Sequence, residues 1–123
     1  MTRLLLAALL GLSLAAPAFA HEPRPGPNGG LKVDAGARHH AELLAKGTTE
    51  VVVFLYDAND KPVAAQGYRI NAILVVGGAT QRFALQPSEA NRLVGTAPVP
   101  VPSGVKGAIQ IIGPDGATAQ AKF

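Results

Sequence analysis

Residues 68–76 read YRINAILVV and run straight into Gly77-Gly78. Tyr68, Ile70, Ala72, Leu74 and Val76 recur at every second position, with Arg69 and Asn71 between them. A period of two puts alternate side chains on opposite faces of a strand, and a helix does not satisfy it. Residues 80–85 resume beyond the glycine pair with Phe83 and Leu85 inward, which predicts a β-hairpin. A lone hairpin cannot shelter its apolar face, so the rest of the chain has to supply more strands.

The chain supplies them. Residues 31–33 form a short strand, 34–37 a turn, and 39–45 a second strand closed by Lys46-Gly47. Residues 49–56 are rich in β-formers on both faces and read as a central strand. Residues 57–60 (DAND) make a turn, and Pro62 opens the next segment. Residues 86–90 form a loop and 92–97 a further strand. Pro98, Pro100 and Pro102 lack ladder donors, so that segment is an edge or a connection. Residues 106–112 and 118–123 close the chain as a hairpin around 113–116 (GPDG), with Ala117, Ala119, Ala121 and Phe123 inward. Seven or eight short strands without a mature helix predict an all-β fold, an antiparallel immunoglobulin-like β-sandwich over residues 31–123. A small barrel is the alternative. The Cys…Trp…Cys pattern of antibody domains is absent.

The amino end has a different grammar. Thr2 and Arg3 precede an apolar run at 4–14 (LLLAALLGLSL), and Ala18-Phe19-Ala20 fits the small-x-small cleavage pattern. Residues 1–20 are therefore expected to be a helical signal peptide, cut after Ala20. The run is shorter than the ~20 residues that cross a bilayer, so no membrane span remains after cleavage. The expected location is periplasmic or secreted. Removing 20 of 123 residues leaves 103, enough for one domain. An oxidising compartment permits disulfides, yet Cys is zero, so packing alone holds the fold. The formal charge of +3 falls to +2 when Arg3 leaves, and no basic stripe with stacking aromatics remains, so nucleic acid is not an expected partner.

The mature chain would begin at His21 with an extended arm, 21–30, that carries three prolines and three glycines. All three histidines, His21, His39 and His40, lie within residues 21–42. Met1 is the only methionine and leaves with the signal peptide, so no sulfur ligand remains. Nitrogen and oxygen donors alone suit Cu(II), Zn(II), Ni(II) or Co(II) rather than Cu(I). In a strand, His39, Ala41 and Leu43 share one face and His40, Glu42 and Leu44 the other. The first set is the less polar and is assigned to the core. His40 and Glu42 then project outward together, with Asp34 just across a short turn. Cleavage would free the amine of His21, which can chelate an ion together with its own imidazole, and Pro23 has no amide hydrogen, so a peptide-type copper site cannot recruit its nitrogen. The candidate metal site is His21, His40 and Glu42, with His39 or Asp34 as substitutes, for Cu(II) or Zn(II).

Enzyme chemistry is not expected. Ser88 and Ser103 have no histidine near them in sequence, no cysteine nucleophile exists, and Gly77-Gly78 precedes no phosphate-binding helix. Asp57 and Asp60 read as turn residues, too few for a calcium loop. The rival reading is a non-catalytic periplasmic protein–protein interaction module with no metal.

Residues 26–30 (GPNGG), a short strand, then 40–43 (HAEL), a strand ending Tyr56-Asp57 and a turn ending 61–63 (KPV) form a further pattern. It resembles the small domain of periplasmic adaptor subunits of heavy-metal efflux pumps of the cobalt–zinc–cadmium type, and related stand-alone secreted proteins. The likeness covers about residues 21–85. It implies metal capture in the N-terminal region, with His21 and His40 as carriers, and heavy-metal efflux components as partners. The helical hairpin, lipoyl and barrel domains that couple an adaptor to its pump are missing here, so transport does not carry over. Gly29 and Gly30 also have a plain conformational use, since both permit positive φ before the first strand.

Overall fold

The computed structural model describes residues 22–123. The signal-peptide expectation for residues 1–20, and His21, lie outside the described residues. Nine strands follow one another: β1 (Arg24–Pro25), β2 (Leu31–Ala35), β3 (His39–Ala45), β4 (Thr48–Asp57), β5 (Arg69–Val76), β6 (Ala79–Pro87), β7 (Arg92–Val101), β8 (Lys106–Ile112) and β9 (Thr118–Lys122). The order within the sheet is β1-β2-β3-β4-β7-β6-β5-β8-β9, and every neighbouring pair is antiparallel. The β4–β7 and β5–β8 neighbours are not consecutive, which makes the winding a Greek key.

The last strand returns to the second. Ala35 pairs with Ala121 across β2 and β9, and this contact closes β2 to β9 into an eight-stranded barrel. The sandwich expectation is thereby corrected. In a sandwich and in a barrel each strand buries one face, so an alternating pattern is the same in both. What separates them is whether the outermost strands bond to each other. Small inward side chains favour that closure: Ala35, Ala41, Ala72 and Ala121 are all buried, on β2, β3, β5 and β9. An eight-stranded barrel is just wide enough for side chains to fill. Leu55, Ile70, Leu74, Leu85, Leu93, Ile109 and Ile111 fill it, each fully buried. Each such residue stabilises the fold by about 1.5–3 kcal/mol relative to exposure.

The 68–85 hairpin forms as its alternation requires. Val76 pairs with Ala79 around Gly77 and Gly78, both at positive φ, the backbone of a two-residue hairpin turn. The proline segment differs from expectation. Pro98 and Pro100 belong to β7, which is flanked by β4 and β6. They are tolerated because β7 pairs with β6 only from Leu93 to Gly95, and its pairing with β4 shifts at a bulge between Thr48 and Glu50.

β1 lies outside the closed wall. It adds to the first half of β2, with Arg24 opposite Lys32 and Pro25 opposite Leu31, while β9 meets the second half. The arm is therefore fixed against the outer surface of β2 and β3, where the candidate ligands stand.

Candidate metal-binding face

Glu42 sits on the outer face of β3 yet is 0% exposed. The 26–30 loop covers it. Oε2 accepts the backbone N–H groups of Asn28 at 2.9 Å and Gly30 at 2.8 Å. Oε1 accepts the Asn28 side-chain amide at 3.0 Å and the Tyr56 hydroxyl at 3.2 Å. The same Asn28 amide donates to the Tyr56 oxygen at 2.9 Å. A buried carboxylate is tolerable when its lone pairs are met in this way. The loop has to be glycine where it comes closest. A Cβ on Gly26 would collide with the Glu42 carboxyl group, and one on Gly30 with the Leu43 carbonyl. Gly29 alone of the adjacent pair has positive φ, at 86°. Gly30 is thus required for space rather than for conformation. Burial and the neighbouring Glu42 charge push the Tyr56 hydroxyl above the ordinary tyrosine pKa.

His40 lies on the same outer face, pairs with Asp34 across β2, and keeps 12% of its side chain exposed. Its Nε2 is 3.2 Å from Asp34 Oδ1 and its Nδ1 is 2.6 Å from Asp60 Oδ1. Two cations complete the cluster. Lys32 Nζ donates to Asp60 at 3.0 Å and lies 5.4 Å over the Tyr56 ring. Arg24, carried in by β1, has its guanidinium 3.9 Å from Asp34 and 3.8 Å from Asp60. Hydrogen bonds from His40 and then Lys32 hold the Asp60 carboxyl at about 2, below its ordinary 3.8.

Asp60 arrives through the turn after β4. The Asp57 carboxylate accepts the N–H groups of Asn59 at 2.8 Å and Lys61 at 3.0 Å. Asp60 then takes a left-handed conformation, φ 62°, which aspartate tolerates better than most residues. Of the two turn aspartates, Asp57 shapes the turn and Asp60 leaves it to face the histidine.

His39 points the other way, on the face of Ala41 and Leu43, but at the strand's start it is only half-buried. Its Nε2 is 3.1 Å from the Tyr68 hydroxyl, and the rings meet edge-to-face at 5.7 Å. Burial, and then the Arg38 charge, lower its pKa.

Among the sequence candidates, the structure brings His40 and Asp34 together. It places Glu42 under the loop with its acceptors occupied, and it turns His39 to the opposite face. His21 lies outside the described residues. The sequence reading missed Arg24 and Lys32, and it assigned Asp60 to a turn. The one available signal was the alternation of Lys32 and Asp34, which puts both on the face shared with His40 once the β2–β3 register is known. Among the described residues, no group of three or more histidine, aspartate and glutamate side chains is disposed to hold a metal by itself. Asp34 and Asp60 meet different ring nitrogens of His40 and do not converge on one point. Compared with protein-family models, with curated proteins and with solved structures, the chain matches none.

Proposed function

We propose that the chain is an exported divalent-metal-binding protein, for Cu(II) or Zn(II), that serves heavy-metal handling. Its ligands would be His40, the carboxylate of Asp34 or Asp60, and His21 from the arm. The observation that carries this reading is the 3.2 Å separation of His40 Nε2 from Asp34 Oδ1. Two ligands held at ~2.0–2.1 Å by a tetrahedral ion stand ~3.3 Å apart, so this pair can serve as one edge of such a site with little movement. The other ring nitrogen would keep its contact with Asp60, the usual way a ligating histidine is oriented. The donor set is nitrogen and oxygen, which fits these ions. β1 runs antiparallel to β2, and three residues of chain upstream of Arg24 span ~10 Å when extended, a length that would let His21 serve. Arg24 and Lys32 would neutralise the carboxylates in the metal-free protein and withdraw on binding.

The resemblance to adaptor domains of heavy-metal efflux systems agrees with this reading and suggests efflux components as partners. The test is calorimetric titration of the mature, untagged protein with Cu(II) and Zn(II). Binding should release protons and weaken with acid. His40→Ala and Asp34→Asn should weaken it strongly, and Lys106→Ala should not.

A non-catalytic interaction module is the second reading. It is favoured by the satisfaction of Asp60 by Lys32 and His40 without an ion, and by Ile73 and Val75, which are large apolar residues exposed on β5. Equal, weak metal binding by all variants would select it.

A further inference from the structure

The barrel is open at the end where the turn after β2 faces the hairpin between β8 and β9. β2 and β9 share only the Ala35–Ala121 pair; beyond it β2 enters its turn while β9 stays paired with β8 back to Thr118. Small side chains line this end. Gly36 and Ala37 border the space with Pro114, Ala117 and Ala119, over the buried Ala35 and Ile111. A hollow of about 570 Å³ results, within the range of small-ligand sites, and barrel mouths are a frequent place for them.

Five polar side chains border this space, Arg38, His39, Tyr68, Asp115 and Thr118. His39 and Tyr68 stand at its edge with Nε2 and hydroxyl oxygen 3.1 Å apart. When the imidazole donates to the phenol oxygen, the phenol proton is left to donate to a ligand. Arg38 also lines the hollow, is exposed, and makes no ion pair among the described residues. The acid on the opposite rim, Asp115, is engaged with its own turn, where it accepts the Ala117 N–H at 3.0 Å. Asp115 keeps its charge on that rim, so an anion is placed on the Arg38 side of the hollow. A guanidinium with no ion-pair partner among the described residues, above an alanine-lined hollow, matches an anionic head on an apolar body.

We propose that this barrel mouth binds a small organic carboxylate with an apolar body, its carboxylate on Arg38 and Tyr68 and its body against Ala37, Pro114 and Ala119. Guanidinium and carboxylate pair through parallel hydrogen bonds, which gives direction to an otherwise non-directional apolar contact. The site is on the inward face of β3 and is independent of the metal-binding proposal for the outer face.

The test is a titration of the ¹⁵N-labelled full-length mature protein with hexanoate and benzoate, read by amide NMR shifts, against hexanamide and benzylamine. The carboxylates should shift the amides of Gly36, Gly113 and Ala119 in a saturable way, and the neutral and cationic probes should bind more weakly. Arg38→Gln, an exposed substitution that leaves the spectrum folded, should weaken the carboxylates by about three- to tenfold, the range for a charge-assisted contact at a partly exposed rim. Lys106→Gln should leave binding unchanged. No saturable shift at the mouth, equal response to the neutral probes, or indifference to Arg38→Gln would each overturn the proposal.

Discussion

Asn28 clasps Glu42 twice, donating its backbone N–H to one carboxylate oxygen at 2.9 Å and its side-chain amide to the other at 3.0 Å. Through this clasp the arm that carries Arg24 is fastened to the barrel wall. Glu42→Ala removes the acceptor and leaves two part-buried backbone donors without it, so it should lower stability by about 1–3 kcal/mol in urea unfolding. Tyr56→Phe removes one donor to Glu42 and one acceptor of the Asn28 amide and should cost about 1–2 kcal/mol. Gly26→Ala should cost about 1–3 kcal/mol, because its Cβ meets the carboxyl group. Hydrogen exchange should rise first at residues 24–30 in all three. Uniform exchange across the barrel would mean that the clasp does not act locally.

The acid limb of stability should report on Asp60. Its folded pKa is about 2 against an ordinary 3.8, so the folded state favours the carboxylate. That contribution is fully present above the ordinary value and is lost as pH falls through about 2. Asp60→Asn should therefore flatten stability against pH across this window. His40→Ala should move the Asp60 pKa back up, measured by carboxyl NMR titration. An unchanged Asp60 in His40→Ala would place the cause elsewhere.

His39 should behave oppositely to a partnered histidine. Its folded pKa lies below 6.5, so the neutral ring is favoured in the folded state. The unfolded chain takes up the proton first, and stability should decline as pH falls below 6.5 until the folded ring also protonates. His39→Gln should remove that decline. Imidazole proton shifts read the pKa directly, and a value above 6.5 would contradict the desolvation assigned to Tyr68's neighbour.

Closure of the barrel rests on small residues. Ala121→Leu introduces bulk at the single β2–β9 pair and should destabilise by about 1–3 kcal/mol, with exchange increasing along β9. Lys122→Leu, one position along and exposed, should have little effect on stability.

Much of this fold is legible in the chain because each strand carries its own local signal. The 68–85 hairpin could be written from alternation and a glycine pair alone. Closure could not, since Ala35 and Ala121 are far apart in sequence and nothing local says that they pair. The site divides along the same line. The opposition of His39 and His40 follows from the pleat. The roles of Glu42 and Asp60 follow from loop paths: the GPNGG loop folds back over one, and a left-handed backbone turns the other toward His40. The GPNGG motif was visible as a pattern, but its physical meaning, a loop shaped to a buried carboxylate, needed the three-dimensional arrangement of Gly26, Asn28 and Gly30 around Glu42.

The central claim is that His40 ligates a divalent ion. The most direct measurement is ¹⁵N NMR of the imidazole rings in the mature protein during titration with Zn(II). The account predicts a large shift of one His40 ring nitrogen, saturating at one ion per chain, with His39 unmoved beside Tyr68. Zinc uptake that leaves both His40 nitrogens where they stand in the metal-free protein would contradict it.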